Sequence, residues 1–255
     1  MAPLYDPALH DTLVWTTFGL AGVTLAILLL ISAPYGRHAR AGWGPTIPSR
    51  AAWILMELPA VAVFGAFYLT GQHRAELVPL VLLGIWQLHY VHRTFIFPFR
   101  MRIAGKRTPL LIPLLAILWN VLNAYINAMW ISHFGTYAVS WLTSPAFLGG
   151  AALFLVGFAI NFHSDSVLFN LRKPGETGYK VPRGGLYRWV SSPNYLGEIL
   201  EWLGWAMLTW SWAGLAFAAY TVANLAPRAL TNHRWYRETF ADYPEERRAL
   251  IPYVV

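Results

Sequence analysis

Residues 12–34 run without a single charged side chain. As a helix this run would be roughly 33 Å long, enough to cross the hydrocarbon core of a bilayer. Six further apolar stretches follow, over about 51–70, 77–93, 109–131, 146–164, 194–210 and 212–227, and the tail 228–255 is polar. Inside a bilayer the backbone must satisfy its own hydrogen bonds, which leaves helices as the solution for segments of this length. The expectation is an all-α polytopic membrane protein with seven transmembrane helices, folded as one domain over 1–255. The chain is 56% hydrophobic and only 12% charged, about half the charged fraction of a soluble domain.

The cations set an orientation. All but Arg74 of the 19 Lys and Arg residues fall in alternate loops or in the tail. The positive-inside rule then puts the N-terminus outside and the C-terminus in the cytoplasm. The same distribution accounts for the net charge of +7, so no nucleic-acid partner is expected. Residues 1–11 hold Asp6 and Asp11 but no basic residue, and a cleaved signal peptide is not expected. The absence of cysteine removes disulfides, thiolate metal sites and thiol nucleophiles. The 13 tryptophans and 13 tyrosines suit interfacial belts, with some packed between helices. No internal repeat is visible.

Several polar residues have no place in simple membrane spans. Glu57 lies within the second span, so it should be paired, protonated or facing a cavity, and Pro59 favours a local kink beside it. Asn120, Asn123 and Asn127 share a face of the fourth span, where they either join helices or meet a ligand. The stretch from Asn161 to Trp202 is the densest. Asn161 and Asp165 stand four apart, as do Asn194 and Glu198, with Glu201 extending the second face. Between them lie Arg172, Lys173, Lys180, Arg183 and Arg188. Two helix ends facing a basic loop suit a large polyanionic ligand, and a nucleotide cofactor fits that description. No Gly-x-Gly-x-x-Gly follows a strand, so a Rossmann site is not expected. The histidines at 89, 92 and 163 lack a zinc-binding pattern, and no metal is expected.

The same stretch resembles the C-terminal half of the membrane steroid 5-alpha-reductases, in a bacterial-type form. It contains Asn161-x-His163-Ser164-Asp165, Leu171-Arg172-Lys173-Pro174-Gly175-Glu176, Gly184-Gly185-Leu186 and Asn194-x-Leu196-Gly197-Glu198. Leu88-His89-Tyr90-x-His92-Arg93-Thr94 resembles a second motif of that family. The likeness extends to Ala249-Leu250-Ile251-Pro252. It implies an NADPH-dependent reduction of the C4–C5 double bond of 3-oxo-Δ4-steroids, in which Glu57 and Tyr90 grip the 3-keto oxygen. It also implies cofactor contacts from Asn161, Asp165, Arg172, Tyr179, Asn194, Glu198, Arg228 and Tyr236. Arg102, within Arg100–Arg107, stands in for an Asn-x-x-Arg step of the family. Two positions depart from the family pattern: Met56 replaces a glutamine and Asn232 a histidine.

The implied partners are a steroid or other enone lipid and the membrane itself. The implied state is a monomer in a bacterial inner membrane, or in the endoplasmic reticulum of a eukaryote. Two rivals stay open on sequence alone. One is a superfamily methyltransferase using S-adenosylmethionine. The other is a lipid or sterol transporter with Glu57 and the asparagines lining a path.

Overall fold

A computed structural model describes residues 3–31, 42, 44–103, 105–172, 176 and 178–254. Arg37, Arg40 and Lys173, assigned above to basic loops, and residues 32–34 of the first apolar run lie outside them. The eight α-helices among the described residues are α1 (Pro7–Leu30), α2 (Ser49–Thr70), α3 (Leu77–Val91), the short α4 (Phe97–Arg100), α5 (Leu111–Met129), α6 (Pro145–Asn170), α7 (Pro193–Thr209) and α8 (Trp212–Thr239). Two three-residue strands, β1 (Thr46–Pro48) and β2 (Arg107–Pro109), pair antiparallel, with Ile47 opposite Thr108.

Each expected apolar span coincides with one of the longer helices, though the ends differ. α1 starts at Pro7, where the Asp6 carboxylate accepts from the Ala8 N–H at 2.9 Å and caps the first turn. α8 does not stop at 227: Pro227 lies inside it and the helix continues to Thr239. α1, α2, α5 with its following turn, and α6 are long and apolar enough to cross a membrane. The chain is an integral membrane protein. α3 and α7 have 15 and 17 residues, and Glu198 and Glu201 on α7 lower its hydropathy.

The β1–β2 ribbon sets how the first half is laid out. It joins the starts of α2 and α5, and the Ser49 and Thr108 hydroxyls bond across it at 2.8 Å. At the other end the His73 N–H donates to the Ser132 carbonyl at 2.7 Å. α2 and α5 therefore run side by side in the same direction. The asparagine face of α5 joins helices: Asn120 donates to the Met56 carbonyl at 2.6 Å, and Trp205 of α7 donates to Asn127 Oδ1 at 2.8 Å. Trp86 and Gln87 of α3 donate to the Ala60 and Val61 carbonyls of α2. In lipid, where apolar surface gives no net drive for helix association, such bonds and close packing carry the assembly.

Between α6 and α7 that packing is close enough to require glycine. The two helices run antiparallel, with Gly150 and Phe154 against Gly204, and Gly157 and Asn161 against Gly197. A Cβ on Gly204 would lie 2.6 Å from the Phe154 nitrogen and 2.7 Å from the Gly150 oxygen, both rigid backbone. Trp86, Trp202, Trp205 and Phe217 fill the centre, with the Trp202 and Phe217 rings 4.3 Å apart. The closing segment folds back beside Val190, where the Ser191 N–H donates to the Arg248 carbonyl at 2.8 Å. His233 Nδ1 lies 2.6 Å from the Ser191 hydroxyl. Burial, with Arg237 and then Arg248 nearby, lowers the His233 pKa below its ordinary value, which keeps the ring neutral at pH 7.

Replacing Gly204 with alanine should cost about 1–3 kcal/mol through overpacking. Gly65→Ala, with nothing within 4 Å of the new methyl, should be silent. Thermal unfolding of both variants in detergent tests the contrast, and equal melting would contradict the close α6–α7 approach.

Candidate active site

The polar centre is built on a widened turn. α3 does not end cleanly but passes into a π turn, His92–Ile96, which leads into α4. Such turns add a residue to the helical repeat and re-aim the side chains on them. Here the side chain re-aimed is Arg93. Its guanidinium lies over the Trp53 ring at 4.8 Å and the Phe97 ring at 4.4 Å. Its backbone carbonyl accepts from Trp53 Nε1 at 3.1 Å.

Carboxylates from three other helices converge on this one cation. Nε lies 3.9 Å from Glu57 Oε1 of α2, Nη1 3.6 Å from Asp165 Oδ2 of α6, and Nη2 3.5 Å from Glu198 Oε2 of α7. None of these reaches the 2.7–3.2 Å of a good N–H···O bond. The attraction is shared among three partners, and each carboxyl keeps acceptor capacity. Asp165 Oδ2 in particular is buried without a hydrogen bond. The asparagines complete the α6–α7 side. Asn161 donates to the Asn194 carbonyl at 3.0 Å, and Asn194 Nδ2 donates to Asp165 Oδ1 at 3.2 Å.

Tyr90 sits two residues before the widened segment, buried against Trp86 and stacked on Trp202 with centroids 5.5 Å apart. Its phenol is within electrostatic reach of Glu57, Glu198, Glu201 and Arg93. His89, edge-on to the Tyr90 ring at 4.8 Å, shares a 2.6 Å hydrogen bond with Glu201 Oε1. Glu201 is fully buried, and its Oε2 has no hydrogen-bond partner.

The remaining expected residues form a second, more exposed group. Arg102 donates to the Arg172 carbonyl, and Arg172 donates to the Gly178 carbonyl at 3.1 Å. Tyr179 is exposed and edge-on to Trp235, whose neighbour Tyr236 is buried and stacked on Tyr243. Arg228 lies inside α8, beyond the expected end of the last apolar stretch at 227. Its Nη2 donates to the Tyr195 hydroxyl at 3.1 Å, one residue from Asn194. Glu57, Asn161, Asp165, Asn194 and Glu198 are thus gathered around Arg93, with Tyr90 beside them and Arg228 adjoining through Tyr195.

Sequence reasoning counted Arg93 only as a loop cation. A signal for it existed: Glu57, Asp165 and Glu198 all sit at or within apolar segments, and some cation has to offset them.

Fold and site together define an integral membrane protein that holds a cluster of carboxyl groups around one largely buried cation, on an aromatic floor. Comparison with known proteins carries this further. The family model for 3-oxo-5-alpha-steroid 4-dehydrogenase matches residues 106–255. The chain is 44% identical over 260 residues to 3-oxo-5-alpha-steroid 4-dehydrogenase 1 of Rattus norvegicus, covering 100% of both chains. It is 42% identical over 254 residues to steroid 5-alpha-reductase DET2 of Gossypium hirsutum, covering 98% of each. The corresponding Homo sapiens protein, 3-oxo-5-alpha-steroid 4-dehydrogenase 1, is 44% identical over 227 residues, 86% of this chain and 85% of that one. The chain belongs to the 3-oxo-5-alpha-steroid 4-dehydrogenase family, and it is an oxidoreductase.

Removing the shared cation should be severe. Arg93→Ala leaves three carboxyls facing one another and should cost about 3–5 kcal/mol. Adding Glu198→Gln to Arg93→Ala should restore part of that loss, because it removes surplus like charge. Melting temperatures of the single and double variants measure the coupling. A double variant less stable than Arg93→Ala would contradict the shared-cation arrangement.

Proposed function

We propose that this protein reduces the C4–C5 double bond of 3-oxo-Δ4-steroids to 5-alpha-3-oxosteroids, with NADPH as reductant and with Glu57 and Tyr90 as the residues that polarise the ketone. The observation that carries the reading is the placement of Glu57 and Tyr90 at a buried, aromatic-floored centre. The names of the relatives support the substrate class.

The donor set also fits a dinucleotide. Asp165 Oδ2 is a buried acceptor with no hydrogen-bond donor, as a ligand N–H or O–H would require. Asn161, Asp165, Asn194 and Glu198 would hold the hydrogen-bonding groups, Tyr179 and Tyr236 would offer ring faces, and Arg172, Arg228 and Arg102 would take the phosphates. Guanidinium groups match phosphate oxygens bidentately. When bound, NADPH supplies the hydride that enters at C5.

The chain's own part is to accommodate the charge that follows. Negative charge builds on the 3-keto oxygen as hydride adds at C5, and a proton delivered to C4 then discharges it. The Tyr90 phenol and a protonated Glu57 are two O–H donors that stabilise it, and donors held rigidly in a dry site act without reorganisation. Trp86 and Trp202 hold the Tyr90 ring. His89, held by Glu201, keeps water from its flank.

The full architecture we propose is one domain over 1–255, with α1, α2, α3, α5, α6, α7 and the first half of α8 as seven crossings. The N-terminus is outside, the tail is cytoplasmic, and a monomer works in a bacterial inner membrane, or in the endoplasmic reticulum of a eukaryote. The substrate, a steroid or related enone lipid, enters from the membrane.

Steroid turnover by the purified protein tests the chemistry. Tyr90→Phe should slow it on the order of a hundredfold. Glu57→Gln should keep part of the activity and Glu57→Leu should abolish it, with cofactor binding unchanged in all three. Full activity of Tyr90→Phe would remove this residue from the mechanism. In thermal-shift measurements NADPH should stabilise wild type strongly, and Arg172→Ala and Arg228→Ala by about tenfold less in affinity or lower still. Stabilisation by S-adenosylmethionine in place of NADPH would favour a methyltransferase.

Topology is tested separately, because the chain has no cysteine. Single cysteines beside Arg74 should react with an impermeant reagent from outside, and those beside Lys106 or Glu176 should not. The reverse pattern would overturn the orientation.

A further inference from the structure

A second polar hollow lies on the far side of α6. A groove of about 840 Å³ is lined by Ala159, Ile160, His163 and Ser164 of α6, by residues 183–186, 188 and 189, and by Pro244, Glu246 and Arg247 of the closing segment. At 100° per residue, Ala159 and His163 point roughly opposite to Asn161 and Asp165, and Ile160 and Ser164 lie between the two directions. The groove is therefore separate from the Arg93 centre.

Its polar wall is unfinished. Arg247 is only 3% exposed, yet its Nε and Nη1 have no hydrogen-bond partner, and no carboxylate pairs with it among the described residues. Its guanidinium rests over the Tyr243 ring at 5.2 Å. Ser164 Oγ, also buried, has no partner either. Leaving a buried guanidinium with two unmet donors is costly, so the structure is complete only with an anion there. Arg183 and Arg188 line the same groove. Arg183 Nη2 lies 3.4 Å from Asp242 Oδ2, and Glu246 adds one carboxylate. Three guanidinium groups against two carboxylates leave one positive charge in excess, which one phosphodiester would neutralise.

The other wall says what carries that phosphate. Ala159 and His163 are exposed on the outer face of α6, in its last three turns. Above them on the same face, at helical spacing, are the exposed Leu148, Ala152 and Leu155. This face belongs to a helix apolar enough to cross a membrane. An apolar track ending at a ring of arginines matches an acyl chain joined to a phosphate headgroup.

We propose that the groove seats one anionic glycerophospholipid from the surrounding leaflet, with its phosphate at Arg247, Arg183 and Arg188 and an acyl chain along the Ala159–Leu155 track. The lipid satisfies Arg247 and Ser164. It also fixes the closing segment, which the Val190–Arg248 bridge ties to the start of α7.

Native mass spectrometry of delipidated protein in detergent tests the site, with NADPH and steroid omitted so that the outcome is independent of the reductase reading. The probes are dioleoylphosphatidylglycerol, dioleoylphosphatidylcholine and inorganic phosphate. Wild type should retain one phosphatidylglycerol, and Arg247→Gln should weaken it about tenfold or more. The double variant Arg183→Gln/Arg188→Gln should weaken it similarly. Both of those side chains are exposed, so this variant carries the test alone if Arg247→Gln does not fold. Arg237→Gln, outside the groove, should bind as wild type. Unchanged affinity in the double variant would overturn the proposal. So would equal binding of phosphatidylcholine, or displacement of the lipid by an equal concentration of phosphate, which would make the occupant a soluble anion.

Discussion

One guanidinium holds the centre of this molecule together. Arg93 is reached by carboxyl groups from α2, α6 and α7, at 3.9, 3.6 and 3.5 Å, while the residue itself belongs to the turn after α3. Four segments distant in sequence are thereby referred to one charge. An ion pair of short, saturated hydrogen bonds would have consumed the carboxyl oxygens. The longer, shared contacts neutralise the cluster in part and leave acceptors facing inward. The Trp53 and Phe97 faces supply the rest of what the cation needs, through its flat surface instead of its N–H groups.

The rest of the packing fixes that cluster in place. Glycine contacts let the α6 and α7 backbones touch, which brings Asn161, Asp165, Asn194 and Glu198 onto a common surface. The β1–β2 ribbon aligns α2 with α5, and Asn120 then fastens α5 to the carbonyl just before Glu57. His89 and Glu201 complete a buried bond next to Tyr90, so the tyrosine is held on one side by a hydrogen-bonded polar pair and on the other by tryptophan faces. Each of these contacts spends a polar group that would be costly to leave unpaired in an apolar interior.

Helices and their faces were legible in the sequence because both depend on local spacing. The apolar stretches, the Asn161/Asp165 and Asn194/Glu198 pairs and the asparagine face of α5 all appear where a 3.6-residue repeat puts them. What spacing does not encode is which helix meets which. Arg93 looked like one more positive-inside cation, because nothing in LHYVHRTF announces that the turn after Val91 widens and swings the side chain inward. Aromatic content alone does not say which rings lie at an interface and which pack between helices, and Trp86, Trp202 and Trp205 are among those that fill the core. The last apolar stretch ends at 227 in composition, where the sequence turns polar at Arg228. Within a packed bundle α8 carries Pro227 and continues.

The two groups of functional side chains differ in a way that fits their solvents. The Arg93 cluster is largely buried and projects from packed helices, whereas Arg102 and Tyr179 are exposed on two loops, and Arg102 and Arg172 bond to loop backbone carbonyls. Charge developing on a ketone oxygen is stabilised best by donors that do not move, and that requirement points to the buried group. A large, soluble, multiply charged cofactor arrives from water and has to be let in and out, which suits side chains on a loop that exchanges its own internal bonds for phosphate contacts. On the proposed reading, the same fold meets both demands by placing the rigid half of the site where lipid excludes water and the exchangeable half where the helices emerge.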